Sequence, residues 1–381
     1  MVSCPPLLID LNAKMSRVAY FISPHGFGHA ARAAAIMSAM RDIDTAIHFD
    51  IVTQVPAWFF EDSLRGGFDY YEVCTDLGLA QHSALNADID ASLRRLGTFL
   101  PFDAVALSGL ARRLDACQLV MCDIAPMGIA VAQQLGVPSI LVENFTWDWL
   151  YQSYVAAYPG FGYHIDYLAS LFAAADYHVQ IEPVCDPRPC DLIARPISRR
   201  PTLSPVRTRE QLNINMSADT PIVLLTMGGI PESYPFVQQL TERFPEIAFV
   251  IPSGSTEGQH LANVQLLPPR SAFFHPNLVC ACDVVVGKAG YSTVAEVYAA
   301  GVPFGYVLCD SFRESEVLAA FIRQHMHGVE VPVSAFQNGG WLELIPEMLR
   351  LPKVQRQAPD GAEQVARFVW QRLHGNISVT A

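Results

Sequence analysis

The sequence predicts an α/β protein of two doubly wound domains in tandem, each with a parallel sheet. Short β-branched runs alternate with helical stretches at the spacing of parallel strand–helix–strand units. This alternation stops in a proline-rich connector and then begins again. Each half opens with a glycine-containing turn after its first strand, and the 381 residues suit two domains of ordinary size.

The amino-terminal half has the clearest strand and helix pattern. Strands are predicted at Val18–Ser23, His48–Thr53, Cys117–Cys122 and Pro138–Val142, and helices at Ala30–Arg41 and Ile124–Leu135. Gly136 is expected to end the second of these helices, because glycine adopts the left-handed conformation of a helix end. These elements define a first domain over residues 16–183.

The second half begins after a connector. Six prolines between residues 183 and 205 break any periodic element, so residues 184–206 are predicted to be a linker. In the second domain, residues 207–355, strands are predicted at Pro221–Thr226, Ile247–Ile251, Val264–Leu267, Val284–Val286 and Pro303–Leu308, and helices at Phe236–Arg243 and Ser292–Ala300. Residues 356–381 are expected to form a helix that packs back on the first domain. Doubly wound sheets bind ligands at the carboxyl ends of their strands, so the cleft between the domains is the predicted active site.

Composition excludes several classes of protein. The chain is 51% hydrophobic and 16% charged, which excludes an intrinsically disordered protein. The 37 acidic and 25 basic residues give a formal net charge of −12, and the only basic cluster runs from Arg195 to Arg209. Nucleic acid is therefore not expected as a partner. Backbone amides can still bind the phosphates of a small ligand without any net positive charge.

Cysteine usage and the missing targeting signals indicate a cytoplasmic protein. The nine cysteines lie mostly in apolar runs and lack zinc-knuckle spacing, so we interpret them as reduced thiols. A disulfide between Cys185 and Cys190 is the alternative for the connector. The first residues lack the basic start and long apolar stretch of a signal peptide. No apolar run reaches the roughly twenty residues of a membrane helix, so no transmembrane segment is expected.

The first glycine loop follows the first strand and opens the first helix. Gly26 and Gly28 let the backbone approach a ligand closely, and the helix amino terminus favours anions. The third glycine of the dinucleotide fingerprint is absent, which argues against a nicotinamide cofactor. His25 and His29 flank the turn, and a histidine there is well placed as a general base. We prefer His29, at the helix start; the alternative is that a histidine only caps the helix or hydrogen-bonds the loop.

Two further glycine turns lie in the second domain. Gly228 and Gly229 follow its first strand and can bring backbone amides against a phosphate. The stretch from Gly287 to Glu296 is more informative, because Ser292 or Thr293 is expected to cap a helix whose free amides suit a diphosphate. Glu296 either forms a capping box with Thr293 or accepts hydrogen bonds from a ribose diol.

The stretch Gly287–Glu296, continued by Gly301-Val302-Pro303-Phe304, resembles the donor-binding signature of glycosyltransferases with two facing Rossmann-like domains, the GT-B architecture. The resemblance implies that a nucleotide sugar binds the second domain, with its diphosphate at the helix start and its ribose on Glu296. The helix start that it implies for the diphosphate comprises Gly290, Ser292 and Thr293. Together with the residues of the glycine turns and the charged residues of the second domain, the donor-binding candidates are Gly26, Gly28, Gly228, Gly229, Lys288, Gly290, Tyr291, Ser292, Thr293, Glu296 and Glu314. Gly28-His29-x-x-Arg32 is also similar to a motif of nucleotide-sugar hydrolases, and in both groups the histidine is the proposed base.

A closer resemblance covers residues 17–330. His25–Ala30, Asn144–Asp148, Gly287–Glu296 and Val302–Phe304 together resemble the glycosyltransferase-like amino-terminal half of plant L-arabinokinases. The kinase activity of that family belongs to a separate carboxy-terminal domain, so kinase activity is not expected here. One departure concerns the donor sugar. Many relatives carry an acidic residue followed by Gln after the Val-Pro strand, whereas this chain has no Gln there. Glu314 is then the candidate for sugar contact, with a helix-dipole role as the alternative.

Other polar residues are candidates on position alone. Asp123, at the end of a strand, either orients His29 or His25 or caps the next helix. The aromatic segment after residue 143 suggests an acceptor wall or simply core packing, and the acceptor-binding candidates there are Asn144, Trp147 and Asp148. Asp88-Ile89-Asp90 resembles a metal-binding Asp-x-Asp motif, but we interpret it as a helix start. The resemblance to the GT-B enzymes implies that no metal is needed, and no cofactor is expected. Lys288 or the helix dipole would offset the charge of the leaving diphosphate instead.

The combined hypothesis is an inverting, metal-independent glycosyltransferase. It would move a sugar from a nucleotide-diphosphate sugar, a uridine one by resemblance, to the hydroxyl of a small-molecule or lipid acceptor. The first domain would bind the acceptor and the second the donor. The alternatives are a nucleotide-sugar hydrolase that uses the same histidine and a non-catalytic nucleotide-sugar-binding protein.

Overall fold

The computed structural model describes residues 16–212, 219–228, 232, 234–309, 311–356 and 360–375. It confirms the predicted fold class, because these residues form two α/β domains, each built on a seven-stranded sheet. Within the described ranges, no helix combines the length and the apolar character that a bilayer-spanning segment needs. Cys185 and Cys190 are both free thiols, so the alternative disulfide is absent.

The first domain contains a fully parallel sheet. Its strands and a separate hairpin are β1 Arg17–Ile22, β2 His48–Thr53, β3 Asp69–Glu72, β4 Ala80–Ser83, β5 Asn86–Asp88, β6 Leu119–Asp123, β7 Ser139–Glu143, β8 Tyr177–Ile181 and β9 Leu192–Ala194. The sheet order is β3-β2-β1-β6-β7-β8-β9, and β4 pairs only with β5. The helices are α1 Gly28–Ile43, α2 Ala57–Glu61, α3 Ile89–Phe99, α4 Ala104–Arg113, α5 Pro126–Leu135, α6 Trp147–Tyr151 and α7 Phe161–Phe172. Apolar strands are buried on both faces, as expected of a parallel sheet covered by helices.

The second domain repeats this architecture. Its strands are β10 Ile222–Thr226, β11 Ala248–Ile251, β12 Gln259–Leu261, β13 Val264–Leu266, β14 Val284–Lys288, β15 Phe304–Val307 and β16 Gly328–Glu330, in the order β12-β13-β11-β10-β14-β15-β16. Only the edge strand β12 is antiparallel to its neighbour. The helices are α8 Pro205–Leu212, α9 Val237–Arg243, α10 His275–Ala281, α11 Tyr291–Ala300, α12 Ser315–His325, α13 Val333–Asn338 and α14 Ile345–Met348.

Two segments add detail to the sequence-based expectation. The proline-rich connector, expected to lack regular structure, contains β9, which extends the first sheet by pairing in parallel with β8. Its prolines flank the strand rather than interrupt it, so no ladder hydrogen bond is lost. The last helix, α15 Gly361–His374, packs against α1, and Val365, Ala366 and Val369 join the apolar core of the first domain.

The β4–β5 hairpin of the first domain packs against the second domain. It belongs to the first domain by sequence, yet Ala84 at its tip is fully buried in an apolar cluster of the second domain. The Cys309 thiol donates a hydrogen bond to the backbone oxygen of Leu85 at 3.1 Å. Arg313 of the second domain donates to the backbone oxygen of Trp149 at 2.6 Å and lies 4.1 Å from the centre of that indole ring. The two domains are therefore in direct contact at the hairpin and at Trp149.

Candidate active site

The cleft lies at the carboxyl ends of the central strands of both sheets. β1 and β6 are neighbours, and their register pairs Ile22 with Asp123, so the Asp123 side chain emerges beside the glycine loop. Gly26 has a φ of +70°, which favours glycine, and a Cβ on Gly28 would lie 3.2 Å from Ser292 Oγ. The small residues of the loop thus allow it to approach the start of α11 in the opposite domain.

His29, Asp123 and Arg32 form a buried hydrogen-bonded group. The Nδ1–H group of His29 donates to one Asp123 carboxylate oxygen at 2.8 Å. Arg32 donates to both oxygens of the same carboxylate, at 2.8 and 2.6 Å, and also to Asn144 Oδ1 at 2.8 Å. Because an ionised carboxylate only accepts hydrogen bonds, Nδ1 carries the proton and Nε2 of His29 keeps its lone pair. Asp123 therefore orients His29, the first of the two alternatives for this residue.

Charges around this group favour an anionic Asp123 and a neutral His29. Burial opposes ionisation of Asp123, but the charge and hydrogen bonds of Arg32, with the hydrogen bond from His29, hold its pKa below the usual value. Burial lowers the pKa of His29, and the contacts with Asp123 offset this only in part. His29 is consequently neutral near pH 7, which is the form that a general base requires.

His25 differs from His29 in its surroundings. Neither ring nitrogen of His25 has a hydrogen-bond partner, and both are closed off from solvent. Burial, together with the charges of His29 and Lys288, lowers the pKa of His25 to about 3. An imidazole with so low a pKa is a poor general base, and no carboxylate orients it. Of the two histidines, His29 therefore has the geometry of a catalytic base.

Asp76 is a buried acid that no sequence pattern singled out. It lies behind the glycine loop, is 4% exposed, and accepts a hydrogen bond from Ser23 Oγ at 2.8 Å. Burial raises the pKa of Asp76 to about 8, so it is protonated near neutrality. It follows a short strand outside the predicted elements, where no local motif indicates a buried carboxyl group.

The cleft contains two connected cavities. The inner cavity is lined by His25, His29, Asn144, Trp147, Lys288 and Glu314. The outer cavity, of about 340 Å³, is lined by Phe27, Phe59, Arg199, Phe274, His275 and Glu296. Phe27, Gly228, Ser292 and Thr293 border both cavities, so the start of α11 lies between them.

The start of α11 differs in one detail from the prediction. Gly290, and neither Ser292 nor Thr293, is the N-cap residue, and no side chain caps the helix. The amides of Tyr291, Ser292 and Thr293 consequently have no acceptor within the helix and face the junction of the cavities. The Tyr291 side chain points elsewhere: its hydroxyl donates to the backbone oxygen of Glu182 and accepts from the amide of Ile197, each at 3.2 Å. Gly229 lies outside the described residues.

Glu296 does not form a capping box with Thr293, the first of its two predicted alternatives. It is 6% exposed and lines the outer cavity. One carboxylate oxygen accepts from Nδ1 of His275 at 2.6 Å, and the other accepts two N–H groups of Arg199 at 3.2 and 3.3 Å. Burial opposes ionisation, but Arg199 and His275 lower the pKa of Glu296 overall. The sequence indicated neither partner, because Arg199 comes from the linker and His275 from α10.

Lys288 and Glu314 face the inner cavity from the second domain. The Lys288 ammonium lies 4.2 Å from the centre of the Phe312 ring, and burial lowers its pKa. Burial also raises the pKa of Glu314 to about 7, although Lys288 acts in the opposite direction. One carboxylate oxygen of Glu314 is enclosed without a partner. A positively charged group thus lies close to the free amides of α11.

The three acceptor-binding candidates are all buried, but they face different ways. Asn144 and Trp147 line the inner cavity. Asp148 instead pairs with Arg188 at 3.3 Å and does not line either cavity. The neighbouring aromatic side chains Phe145, Trp149 and Tyr151 are 1–6% exposed and mainly pack in the core. The core-packing alternative therefore applies to most of this segment.

Acidic clusters elsewhere have ordinary partners. Asp88 is the N-cap of α3 and accepts from the amide of Ala91 at 2.8 Å, which confirms that Asp88-Ile89-Asp90 is a helix start. In the described part of the chain, His48, Asp50 and Asp69 form the one group with metal-binding spacing. It lies outside the cleft, and Arg17 donates hydrogen bonds to both of its carboxylates.

Solved structures with a similar fold are glycosyltransferases. A UDP-glucosyltransferase from Polygonum tinctorium superposes with a TM-score of 0.59 at 14% identity, covering 95% of this chain and 94% of that one. SsfS6, a glycosyltransferase of Streptomyces sp. SF2575 solved with thymidine diphosphate, gives a TM-score of 0.55 at 17% identity, with coverages of 93% and 99%. At this level of identity the likeness shows the fold: the chain has the GT-B architecture of two facing Rossmann-like domains.

Two sequence relatives were found, one named a kinase and the other a glycosyltransferase. The chain is 26% identical to L-arabinokinase of Arabidopsis thaliana over 378 residues, which are 96% of this chain and 35% of that protein. It thus spans about a third of the length of that relative. It is also 24% identical to an uncharacterized glycosyltransferase of Methanopyrus kandleri over 270 residues, 68% of this chain and 76% of that one. No family model matches the sequence. The similar solved structures and one of these two sequence relatives are glycosyltransferases, which fits the GT-B superfamily.

Proposed function

We propose that this protein is an inverting glycosyltransferase that uses a nucleotide-diphosphate sugar and no metal. The observation that carries the proposal is the orientation of His29. Asp123 holds its Nδ1–H group, its Nε2 lone pair is free, and the ring lines the cavity that faces the start of α11. A base and an anion-binding helix terminus therefore lie on opposite sides of one cleft, as transfer from a diphosphate requires.

The two cavities suggest how the donor binds. The outer cavity has the size and the aromatic walls for a nucleoside, and the carboxylate of Glu296 lines it. The diphosphate would lie at the junction, over the amides of Tyr291, Ser292 and Thr293. The sugar would then enter the inner cavity. The similar Polygonum tinctorium enzyme is a UDP-glucosyltransferase and SsfS6 was solved with thymidine diphosphate, and these two cases favour a pyrimidine nucleotide.

The proposed reaction follows from this placement. Nε2 of His29 takes the proton of the acceptor hydroxyl, and the acceptor oxygen attacks the anomeric carbon on the face opposite the diphosphate. The bond between that carbon and the phosphate oxygen breaks, and the configuration inverts. Asp123 stabilises the imidazolium that forms, while the α11 amides and Lys288 stabilise the negative charge on the leaving diphosphate. Every charge that develops has an opposite charge or dipole nearby.

One observation favours hydrolysis as a second candidate. The inner cavity has a volume of only about 100 Å³, which leaves little room for an acceptor beside a sugar ring. Water in the place of the acceptor would be activated by the same His29 nitrogen. Free sugar released from the donor without any added acceptor would identify this activity.

The experiment begins with a thermal-shift screen of uridine, thymidine, guanosine and adenosine diphosphates and their common sugars. A ligand at about 100 times its dissociation constant adds roughly 2.7 kcal/mol of stability. The nucleotide sugar that stabilises the protein in this screen is then incubated with the protein and candidate acceptors, and the released nucleoside diphosphate is measured. His29→Ala is expected to abolish release while donor binding persists, and His260→Ala, on the exposed edge strand β12, is the control. Full activity of His29→Ala would refute the base assignment.

A further inference from the structure

Arg199, in the linker between the domains, has an unusual position for a connector residue. Its guanidinium carbon lies 4.7 Å from the centre of the Phe59 ring in the first domain and 4.8 Å from that of Phe274 in the second. The side chain is only 11% exposed and forms part of the wall of the outer cavity. Two aromatic faces therefore fix the plane of the guanidinium.

The hydrogen bonds of Arg199 also reach both domains. One terminal nitrogen donates to Ser63 Oγ at 3.3 Å in the first domain. Nε and the other terminal nitrogen both donate to a single oxygen of Glu296, at 3.3 and 3.2 Å, in the second domain. Three donors of one planar group are thus used in a fixed arrangement, which a lysine ammonium does not reproduce.

The other oxygen of Glu296 is fixed as well. His275 donates to it through Nδ1, and the far ring nitrogen of His275 lies 3.3 Å from the hydroxyl of Thr226. Each carboxylate oxygen has two acceptor positions. The two Arg199 donors fill both positions on one oxygen, whereas His275 leaves one position free on the other. Because Glu296 lines the outer cavity, this position is available to a hydroxyl group there.

We propose that Arg199 is a positioning residue for the donor: it orients Glu296 so that the free acceptor position of this carboxylate binds a hydroxyl group of the ribose diol. The inference rests on the proposed function, because it requires a nucleoside in the outer cavity. Its consequence is specific. Donor affinity depends on the ribose diol through Arg199, although Arg199 itself lies in the linker and does not touch the reacting atoms.

The test compares uridine diphosphate with its 2′,3′-dideoxy analogue by isothermal titration calorimetry. Wild-type protein is expected to prefer uridine diphosphate by about tenfold or more, since a hydrogen bond to a buried charged acceptor is lost with the diol. In Arg199→Met the unbranched side chain still packs between the rings. The ratio of the affinity for uridine diphosphate to the affinity for its dideoxy analogue is nevertheless expected to fall close to one. Arg200→Met is the matched control, because Arg200 pairs with Asp42 and Asp360 on the surface and is expected to leave the preference unchanged.

Steady-state kinetics give an independent measure. Arg199→Met is expected to raise the donor KM while kcat changes by less than about threefold, because the ribose is remote from the breaking bond. If this variant does not fold, Arg199→Lys is used for the same test. Lysine keeps the positive charge but cannot donate hydrogen bonds to Ser63 and Glu296 at the same time. Its preference for the diol is expected to fall at least severalfold.

The outcomes separate the two proposals. If the wild type binds no nucleoside diphosphate, the proposed function fails, and the role of Arg199 fails with it. If the wild type binds both nucleotides equally, or if a folded Arg199 variant keeps the wild-type preference, only the positioning role is overturned. A loss of thermal stability with an unchanged preference would assign Arg199 a purely structural role and also refute the inference.

Discussion

Asp123→Asn is the substitution that most directly tests the buried group around His29. It keeps the shape of the side chain but replaces an anion, which accepts from His29 and twice from Arg32, with a neutral amide. An amide directed at His29 can present its N–H group, which forces Nδ1 to accept and places the imidazole proton on Nε2. In that tautomer Nε2 cannot take a proton from an acceptor hydroxyl.

The size of the effect follows from burial. Asp123 is fully buried and Arg32 is 1% exposed, so Asp123→Asn leaves a guanidinium without its counter-charge. Removing one partner of a buried ion pair costs about 3–5 kcal/mol, and 3 kcal/mol lowers Tm by roughly 6–12 °C in domains of this size. A wrong histidine tautomer in a comparable catalytic pair lowers kcat by about 10⁴-fold. Both losses are expected here.

The assay combines differential scanning fluorimetry with release of the nucleoside diphosphate from the donor selected by the thermal-shift screen. Asp148→Asn is the control, since Asp148 is also buried and paired with an arginine, yet it lines neither cavity. Its effect on kcat is expected to be less than about tenfold. If Asp123→Asn kept the wild-type Tm and kcat, neither the ion pair nor the tautomer argument would stand.

Three other measurements test the charges in the cleft. The pKa of His29 is lowered by burial, so kcat/KM is expected to be level above pH 6.5 and to fall only at lower pH; an acid limb centred above pH 6.5 would contradict this. Asp76, with a pKa raised to about 8, keeps a proton in the folded state that the unfolded chain loses above about pH 4. Stability therefore falls as pH rises from about 4 to about 8, and Asp76→Asn is expected to raise Tm more at pH 8 than at pH 5; an equal gain at both would refute it. Lys288→Met is expected to weaken nucleoside diphosphate binding about tenfold in calorimetry without lowering Tm; unchanged affinity would exclude contact with the diphosphate.

Much of the fold could be predicted because its signals are local. The predicted strand His48–Thr53 is the observed β2, and most other predicted elements agree within about two residues. Apolar runs of strand length separated by helical stretches are sufficient for this, since both faces of each parallel sheet are buried. The strands β3, β4, β5, β8, β9, β12 and β16 were missed. Most of them are short and polar, lie at the edges of the sheets or are flanked by prolines.

The site could be predicted only in part. The glycine loop and the start of α11 carry local sequence patterns, so His29, Ser292 and Thr293 were found as candidates. The hydrogen-bond partners of these side chains were harder to predict, because they are distant in sequence. His29 and Asp123 are 94 residues apart, and Arg199 and Glu296 are 97 residues apart. Asp148 illustrates the limit: its neighbours in sequence line the inner cavity, but helix geometry turns its carboxylate toward Arg188.

Local patterns in the sequence were sufficient to predict two doubly wound domains, a cleft at the ends of their strands, and a glycine loop that faces a helix terminus. These features follow from the periodicity of apolar residues along the chain and from single glycines, which mark the positions of turns. Three others required the folded molecule: His29 has a carboxylate partner while His25 has none, Asp76 is a buried acid, and Glu296 is held by the linker. Hydrogen bonding and burial of a side chain depend on residues that are distant in sequence, and these interactions set its charge and its chemistry.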